Sequence, residues 1–232
     1  MIRHLGRSLL RLLPRNTILP VLSGPLKGTR WIMHSGVHTY WRGAYEPELA
    51  ERIQNIVKPG MTCFDCGANV GYYTLLFSQL VGASGHVFSF EPLPENAEYL
   101  RQHVVINKRS NVTIVEGALA DYNGQARFSS DGSASSLGPG GSIEVDCRSI
   151  DSLDLPPPDV MKIDVEGAEE LLVKGAEQTI LRHRPTILMS LHIPIPAAQD
   201  LARHLASLGY EVTFSESTYD IVAIRVDAGQ RE

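Results

Sequence analysis

The chain has 232 residues, 43% of them hydrophobic, which is enough to bury the core of one substantial α/β domain and short for two. Its first 45 residues carry seven Lys/Arg and no Asp or Glu, so the rest sets 14 basic against 26 acidic side chains; so acidic a body argues against a nucleic-acid groove, which needs basic surface to displace counterions. Three cysteines exclude a disulfide framework and suit a reducing cytoplasm, and no apolar run reaches the roughly 18 residues that span a bilayer.

Met1 to Pro14 places Arg3, Arg7 and Arg11 four residues apart beside Ile2, Leu5, Leu9, Leu10, Leu12 and Leu13, the pattern of a basic amphipathic helix. It lacks the long apolar stretch and small-residue cleavage site of a secretory signal. Such a helix caps the domain or makes an oligomer contact; the alternative is a weak, reversible membrane-surface contact, which would make a cytoplasmic protein membrane-peripheral. Residues 15–45 read as a short β-containing lead-in with a strand at Thr29–Met33. Residues 1–45 are thus an N-terminal extension and 46–232 the main domain.

Glu48–Val57 reads as a helix stopped by Lys58-Pro59-Gly60. After it, strands at Thr62–Cys66, His86–Phe90, Val112–Glu116, Val160–Asp164, Thr186–Leu191, Tyr210–Phe214 and Ile221–Val226 alternate with helices at Val70–Leu80, Pro94–Asn107, Ala168–Leu181 and Ala197–Leu208. Most crossovers are long enough for parallel pairing, so the expected fold is α/β, a seven-stranded, mostly parallel Rossmann-like sheet with an antiparallel edge strand. Between Gln125 and Ile150 the alternation gives way to a β excursion, Ala126–Phe128 and Ile143–Cys147, around a Gly/Ser-rich loop at 129–142. That loop reads equally as a mobile active-site cover and as a segment without fixed structure. Cys63 and Cys66 form a C-x-x-C, but a separation of three on a strand points them to opposite faces, which favours core packing over redox or zinc chemistry.

Phe64 to Thr74 follows a strand and opens a helix, which sets its glycines at the carboxyl edge of the sheet, where open α/β folds bind ligands. Gly67 permits a sharp turn, and Gly71 lets the helix lie close to the strand. Amides at the helix start suit the carboxylate of a methionine moiety, while Asp65 accepts from its ammonium or organises the turn. Twenty-four residues after Gly67, Glu91 follows the second strand, where a carboxylate accepts both hydroxyls of a ribose. The spacing D-x-G-A-N-x-G differs from the G-x-G-x-x-G that wraps a dinucleotide pyrophosphate, which argues against an NAD-dependent dehydrogenase.

From Gly43 to His192 the chain resembles the FkbM-type S-adenosylmethionine-dependent methyltransferases. The resemblance rests on ordered segments: Gly43-Ala44-Tyr45-Glu46-Pro47-Glu48, Lys58-Pro59-Gly60, Asp65 to Thr74, Phe90-Glu91-Pro92, Ala118-Leu119-Ala120-Asp121, Ser135-Ser136-Leu137, Ser149 to Leu153, and Met161 to Glu169. It implies S-adenosyl-L-methionine as cofactor, bound by Asp65, Gly67, Asn69, Gly71 and Glu91, with Ala118 offering backbone contacts near adenine; Asp164, from its place at a strand end, is expected to position cofactor or substrate. It places Ser135 and Ser136 against the bound ligands. It implies a small-molecule acceptor, a hydroxyl of a saccharide or polyketide-type natural product, with N- or carboxyl-methyl transfer and a catalytically idle relative as alternatives. Where the family often carries Glu two residues before the His that ends the fifth strand, this chain has Ser190.

Methyl transfer to oxygen needs alignment, exclusion of water and loss of the hydroxyl proton. Asp164 and Glu166 end the fourth strand and His192 the fifth, so all three can face one cleft. His192 is the expected base, since a neutral imidazole is available near pH 7, with Asp164 beside it. Glu166 is expected at the substrate or as a first-turn anion of the next helix. Tyr40, Trp41, Tyr45 and Glu46 are expected to form the acceptor wall. No metal is expected. A divalent cation on Asp164 and Glu166 stays open as the lesser alternative, since two carboxylates at i, i+2 lack a third ligand.

Overall fold

The computed structural model describes Pro14 and residues 16–131, 134–137, 143–215 and 219–225, with 129–131 and 134–137 described as backbone; the amphipathic helix expected at the N terminus lies outside the described residues. The lead-in forms a small hairpin, β1 (Ile18–Pro20) with β2 (Arg30–Ile32), and a short helix α1 (His38–Arg42) that the sequence does not signal. Helix α2 (Pro47–Ile56) starts on a proline, whose missing N–H costs nothing at a first helical position. There follow β3 (Thr62–Cys66), α3 (Tyr72–Val81), β4 (His86–Glu91), α4 (Pro94–Ile106) and β5 (Val112–Glu116). The β excursion holds β6 (Ala118–Leu119), β7 (Gly124–Asp131), β8 (Ala134–Leu137) and β9 (Ile143–Arg148). The chain closes with β10 (Val160–Ile163), α5 (Glu169–Gly175), α6 (Glu177–His183), β11 (Thr186–Ser190), α7 (Ile195–Ser207), β12 (Tyr210–Ser215) and β13 (Asp220–Arg225).

The main sheet has seven strands in the order β12-β13-β11-β10-β3-β4-β5. β11, β10, β3, β4 and β5 pair in parallel, and β13 runs antiparallel to both neighbours. The antiparallel strand is therefore not at the edge, as expected, but one place in from it. The terminal hairpin inserts its second strand beside β11 and leaves β12 outermost.

Side chains alternate across this sheet, so it is buried on both faces. Cys66 belongs to the buried cluster that includes Leu172, Val173, Ile180, Leu201 and Leu205, and Cys63 to a separate one that includes Ile53, Leu75, Phe77 and Trp31. All three cysteines are buried and free, in keeping with the core-packing reading of the C-x-x-C. The single helix expected at Ala168–Leu181 is two helices broken at Ala176, where helix and β excursion come so close that a Cβ on Gly175 would lie 1.9 Å from the carbonyl oxygen of Ala120. Part of the expected Gly/Ser loop is a paired hairpin, with Ser129 opposite Ser136 and Ser130 opposite Ser135; its remaining residues lie outside the described ones.

The lead-in shares the sheet's core. Trp31 is 1% exposed and stacks on the buried His103 of α4 at 4.0 Å. His103 Nε2 accepts the Ile32 N–H at 3.0 Å, which leaves the proton on Nδ1 to donate to the Val70 carbonyl at 2.7 Å. Asn107 accepts the Arg30 N–H and donates to the carbonyls of Arg30 and His103, all at 2.8 Å, so it fastens β2 to the end of α4. No described helix is long and apolar enough to cross a membrane.

Candidate active site

The carboxyl ends of β3, β4 and β10 open on a cavity of about 680 Å³. It lies where the strand order reverses, with β4 and β5 on one side of β3 and β10 and β11 on the other, the point at which open α/β sheets take ligands. The turn after β3 forms part of its wall. Gly67 has φ +80°, and a Cβ there would stand 1.8 Å from the Asp164 carbonyl oxygen. The Val70 and Gly71 amides, expected at the helix start and available to a ligand carboxylate, are already committed. Val70 donates to Asn69 Oδ1 at 2.8 Å and Gly71 to the Ala68 carbonyl at 2.9 Å, because the helix begins only at Tyr72.

Glu91 ends β4 on the cavity wall and is 4% exposed. Its Oε2 accepts the Asn69 N–H at 2.7 Å; its Oε1 accepts the Leu93 N–H at 2.9 Å and the Asn96 amide at 3.3 Å. Burial raises its pKa, and these three donors act against the rise. The carboxylate is thus held in one orientation, spanning the glycine turn and the start of α4. Ala118, with Gly117 and Phe128, lines another part of the cavity.

Asp65 is wholly buried and is not among the cavity-lining residues. Its Oδ2 accepts from Thr74 at 2.6 Å, and Thr74 in turn meets Ser89 at 2.9 Å. Strand register sets Lys162 beside Asp65, and Lys162, 2% exposed, holds its Nζ 3.9 Å from Asp65 Oδ1 and 3.0 Å from Asp164 Oδ2. Burial alone would lower the Lys162 pKa; Asp164 and Asp65 outweigh it and raise the value. A positive charge is therefore fixed under the cavity between two carboxylates. Sequence reasoning gave Lys162 no role, although a lysine inside a buried apolar strand is a signal in itself.

Tyr40 and Tyr45 line the cavity with Tyr72 and Tyr73, their rings 4.4 to 6.0 Å apart. Burial pushes the Tyr40 hydroxyl up to about 12. Glu46 sits at φ +37° ahead of α2, and its Oε2 accepts from the Tyr73 hydroxyl at 2.6 Å. Trp41, also expected on the acceptor wall, packs against the core instead.

Asp164 and Glu166 line the cavity beyond β10, and His192 stands past the end of β11 behind them. The imidazole is ringed by carboxylates. Nδ1 is 3.3 Å from Glu169 Oε1 and 3.6 Å from Asp164 Oδ1, and Nε2 is 3.7 Å from Glu166 Oε2. The Glu169 contact first, with Asp164 and Glu166 adding to it against the effect of burial, raises the His192 pKa to about 8. The surrounding carboxylates thus favour the protonated ring over the neutral form that a base needs. Glu169 is a second residue that sequence reasoning gave no role: nothing in Glu166-Gly167-Ala168-Glu169-Glu170 separates it from its neighbour Glu170. Ser135 and Ser136 lie on β8, on the hairpin that continues from Phe128.

Over residues 65–212, more than half of its length, the chain matches the Methyltransferase FkbM domain, and it belongs to that family. It is 33% identical over 73 residues to a protein-L-isoaspartate O-methyltransferase of Methanothrix thermoacetophila, covering 31% of this chain and 35% of that one. The chain thus spans about a third of the length of the curated relatives it matches. Among solved structures, methyltransferase FkbM from Methylobacillus flagellatus aligns with a TM-score of 0.57 at 19% identity, over 75% of this chain and 50% of that one. Aeropyrum pernix fibrillarin, solved with natively bound S-adenosyl-L-methionine, aligns with a TM-score of 0.52 at 16% identity over 76% and 74%. At these identities the likeness to solved structures is one of fold.

Proposed function

We propose that this protein transfers a methyl group from S-adenosyl-L-methionine to a hydroxyl of a saccharide or polyketide-type small molecule. The observation that carries the reading is one continuous cavity that joins the glycine turn and Glu91 to Asp164 and Glu166. In this reading Glu91 accepts the ribose hydroxyls. A carboxylate has about four acceptor sites and three are in use, so the long Asn96 contact gives way to a second hydroxyl. Gly67, Asn69 and Gly71 shape the turn under the methionine moiety, Asp65 braces it from below, and Ala118 borders the adenine. Tyr40 and Glu46 face the acceptor, which Ser135 and Ser136 help to cover.

The acceptor oxygen attacks the methyl carbon, the carbon–sulfur bond breaks with its electron pair going to sulfur, and an ether, S-adenosylhomocysteine and one proton result. The proton passes into the group of Asp164, Glu166 and His192, and Lys162 holds Asp164 in place at 3.0 Å. The test is a tritiated-methyl transfer screen across sugars, polyketide hydroxyls, amines and proteins. Label on hydroxyl oxygen is expected. Label confined to nitrogen or carboxylate overturns the acceptor assignment, and failure to bind S-adenosylhomocysteine overturns the cofactor.

A further inference from the structure

In the sequence Asp164 and Glu166 lack a third partner, and the fold supplies it. β10 and β11 are parallel neighbours, and the segments beyond their carboxyl ends bring His192 against the Asp164–Glu166 turn. One donor atom from each of the three lies within 4.8 Å of the other two. Their side chains are 18%, 37% and 36% exposed, partly sheltered yet open to a small ion. The separations, 3.6 Å from Asp164 Oδ1 to Nδ1 and 3.7 Å from Glu166 Oε2 to Nε2, are wider than hydrogen bonds and leave the three groups unbridged.

Glu169 provides a second, independent observation. It is wholly buried with its carboxylate turned onto His192: Oε1 takes the N–H groups of Gly167 and His192 and stands 3.3 Å from Nδ1. Its Oε2 has no hydrogen-bond partner among the described residues. A buried carboxylate on Nδ1 is the arrangement that fixes an imidazole and presents Nε2 to a metal. Three carboxylates here converge on one ring, while the neighbouring cation, Lys162, is already held between Asp65 and Asp164. So much negative charge in one half-buried place draws in a small cation.

We propose that Asp164, Glu166 and His192 form a divalent-cation site, with Glu169 orienting the imidazole. Two carboxylate oxygens and one imidazole nitrogen, with further positions open toward the cavity, form a mixed hard set that suits Mn²⁺. The open positions would take oxygens of the acceptor, so this use of the site rests on the methyl-transfer reading, whereas its existence does not.

The experiment is a titration of the full chain with Mn²⁺ alone, following loss of the free-ion electron paramagnetic resonance signal. One saturable site per chain is expected. Glu166→Gln and His192→Asn should each weaken it at least about tenfold, Glu169→Gln should weaken it about tenfold through the ring's orientation, and Glu95→Gln, on the cavity wall outside the group, should bind as the parent does. Non-saturable uptake, or unchanged affinity in the Glu166→Gln/His192→Asn double variant, overturns the proposal. Circular dichroism reports folding, and should His192→Asn fail to fold, Glu166→Gln on the half-exposed turn carries the test. S-adenosylhomocysteine affinity is measured in parallel: nucleoside binding without Mn²⁺ binding removes the metal site and keeps the methyl-transfer reading, and the converse result removes the latter alone.

Discussion

Glu169 Oε1 accepts the backbone N–H of His192 at 3.2 Å and that of Gly167 at 3.1 Å, so one buried side chain fastens the turn after β10 to the end of β11. Glu169→Ala should cost roughly 1–3 kcal/mol in unfolding free energy, because it orphans both donors. Glu169→Gln keeps an acceptor oxygen and should recover most of that loss. Urea unfolding of the two variants reads the difference; equal stability in both removes the bracing role.

Glu91→Ala should weaken S-adenosylhomocysteine binding by about 1.5–3 kcal/mol, the usual worth of hydrogen bonds to a charged group. The same substitution frees the N–H groups of Asn69 and Leu93, so Glu91→Gln is the companion, keeping acceptors for the turn while removing the charge. Calorimetry that finds all three proteins equal removes Glu91 from the ribose.

His192→Ala should lower methyl transfer by about 10²–10⁴, the range for a group that helps a proton leave in the transition state, with nucleoside affinity nearly unchanged. Single-turnover kinetics with labelled cofactor separates the two quantities. Intact turnover would transfer the role to Asp164.

His103 links stability to pH. Its folded pKa is lowered from 6.5 to about 4, chiefly by burial, against the pull of the Val70 carbonyl. Between those values the unfolded chain binds a proton that the folded one refuses, so the stability present above pH 6.5 is lost as pH falls toward 4. The loss attributable to this residue is about 3 kcal/mol. His103→Gln should therefore be most destabilising at pH 7, with a cost relative to the parent that shrinks by about that amount at pH 4; carboxylates titrate alike in both proteins and cancel. A pH-independent difference in denaturant unfolding would show that His103 does not titrate across this window.

What is local in this fold was legible along the chain. Strand and helix alternation, the glycine turn and the acidic end of β4 follow from side-chain periodicity and backbone constraint over a few residues, and β3, β5 and the start of α4 fall where the pattern places them. The sequence could not place β13 inside the edge strand, because that depends on which neighbour a terminal hairpin meets after the chain has turned back. Nor could it assign partners to Lys162 or Glu169, whose distinction is the company they keep. The first is poised between Asp65 and Asp164 by the register of β3 with β10, and the second is pressed onto an imidazole 23 residues away. Long-range packing and the low dielectric of burial, absent from the linear chain, turn two isolated carboxylates and a histidine into one charged group.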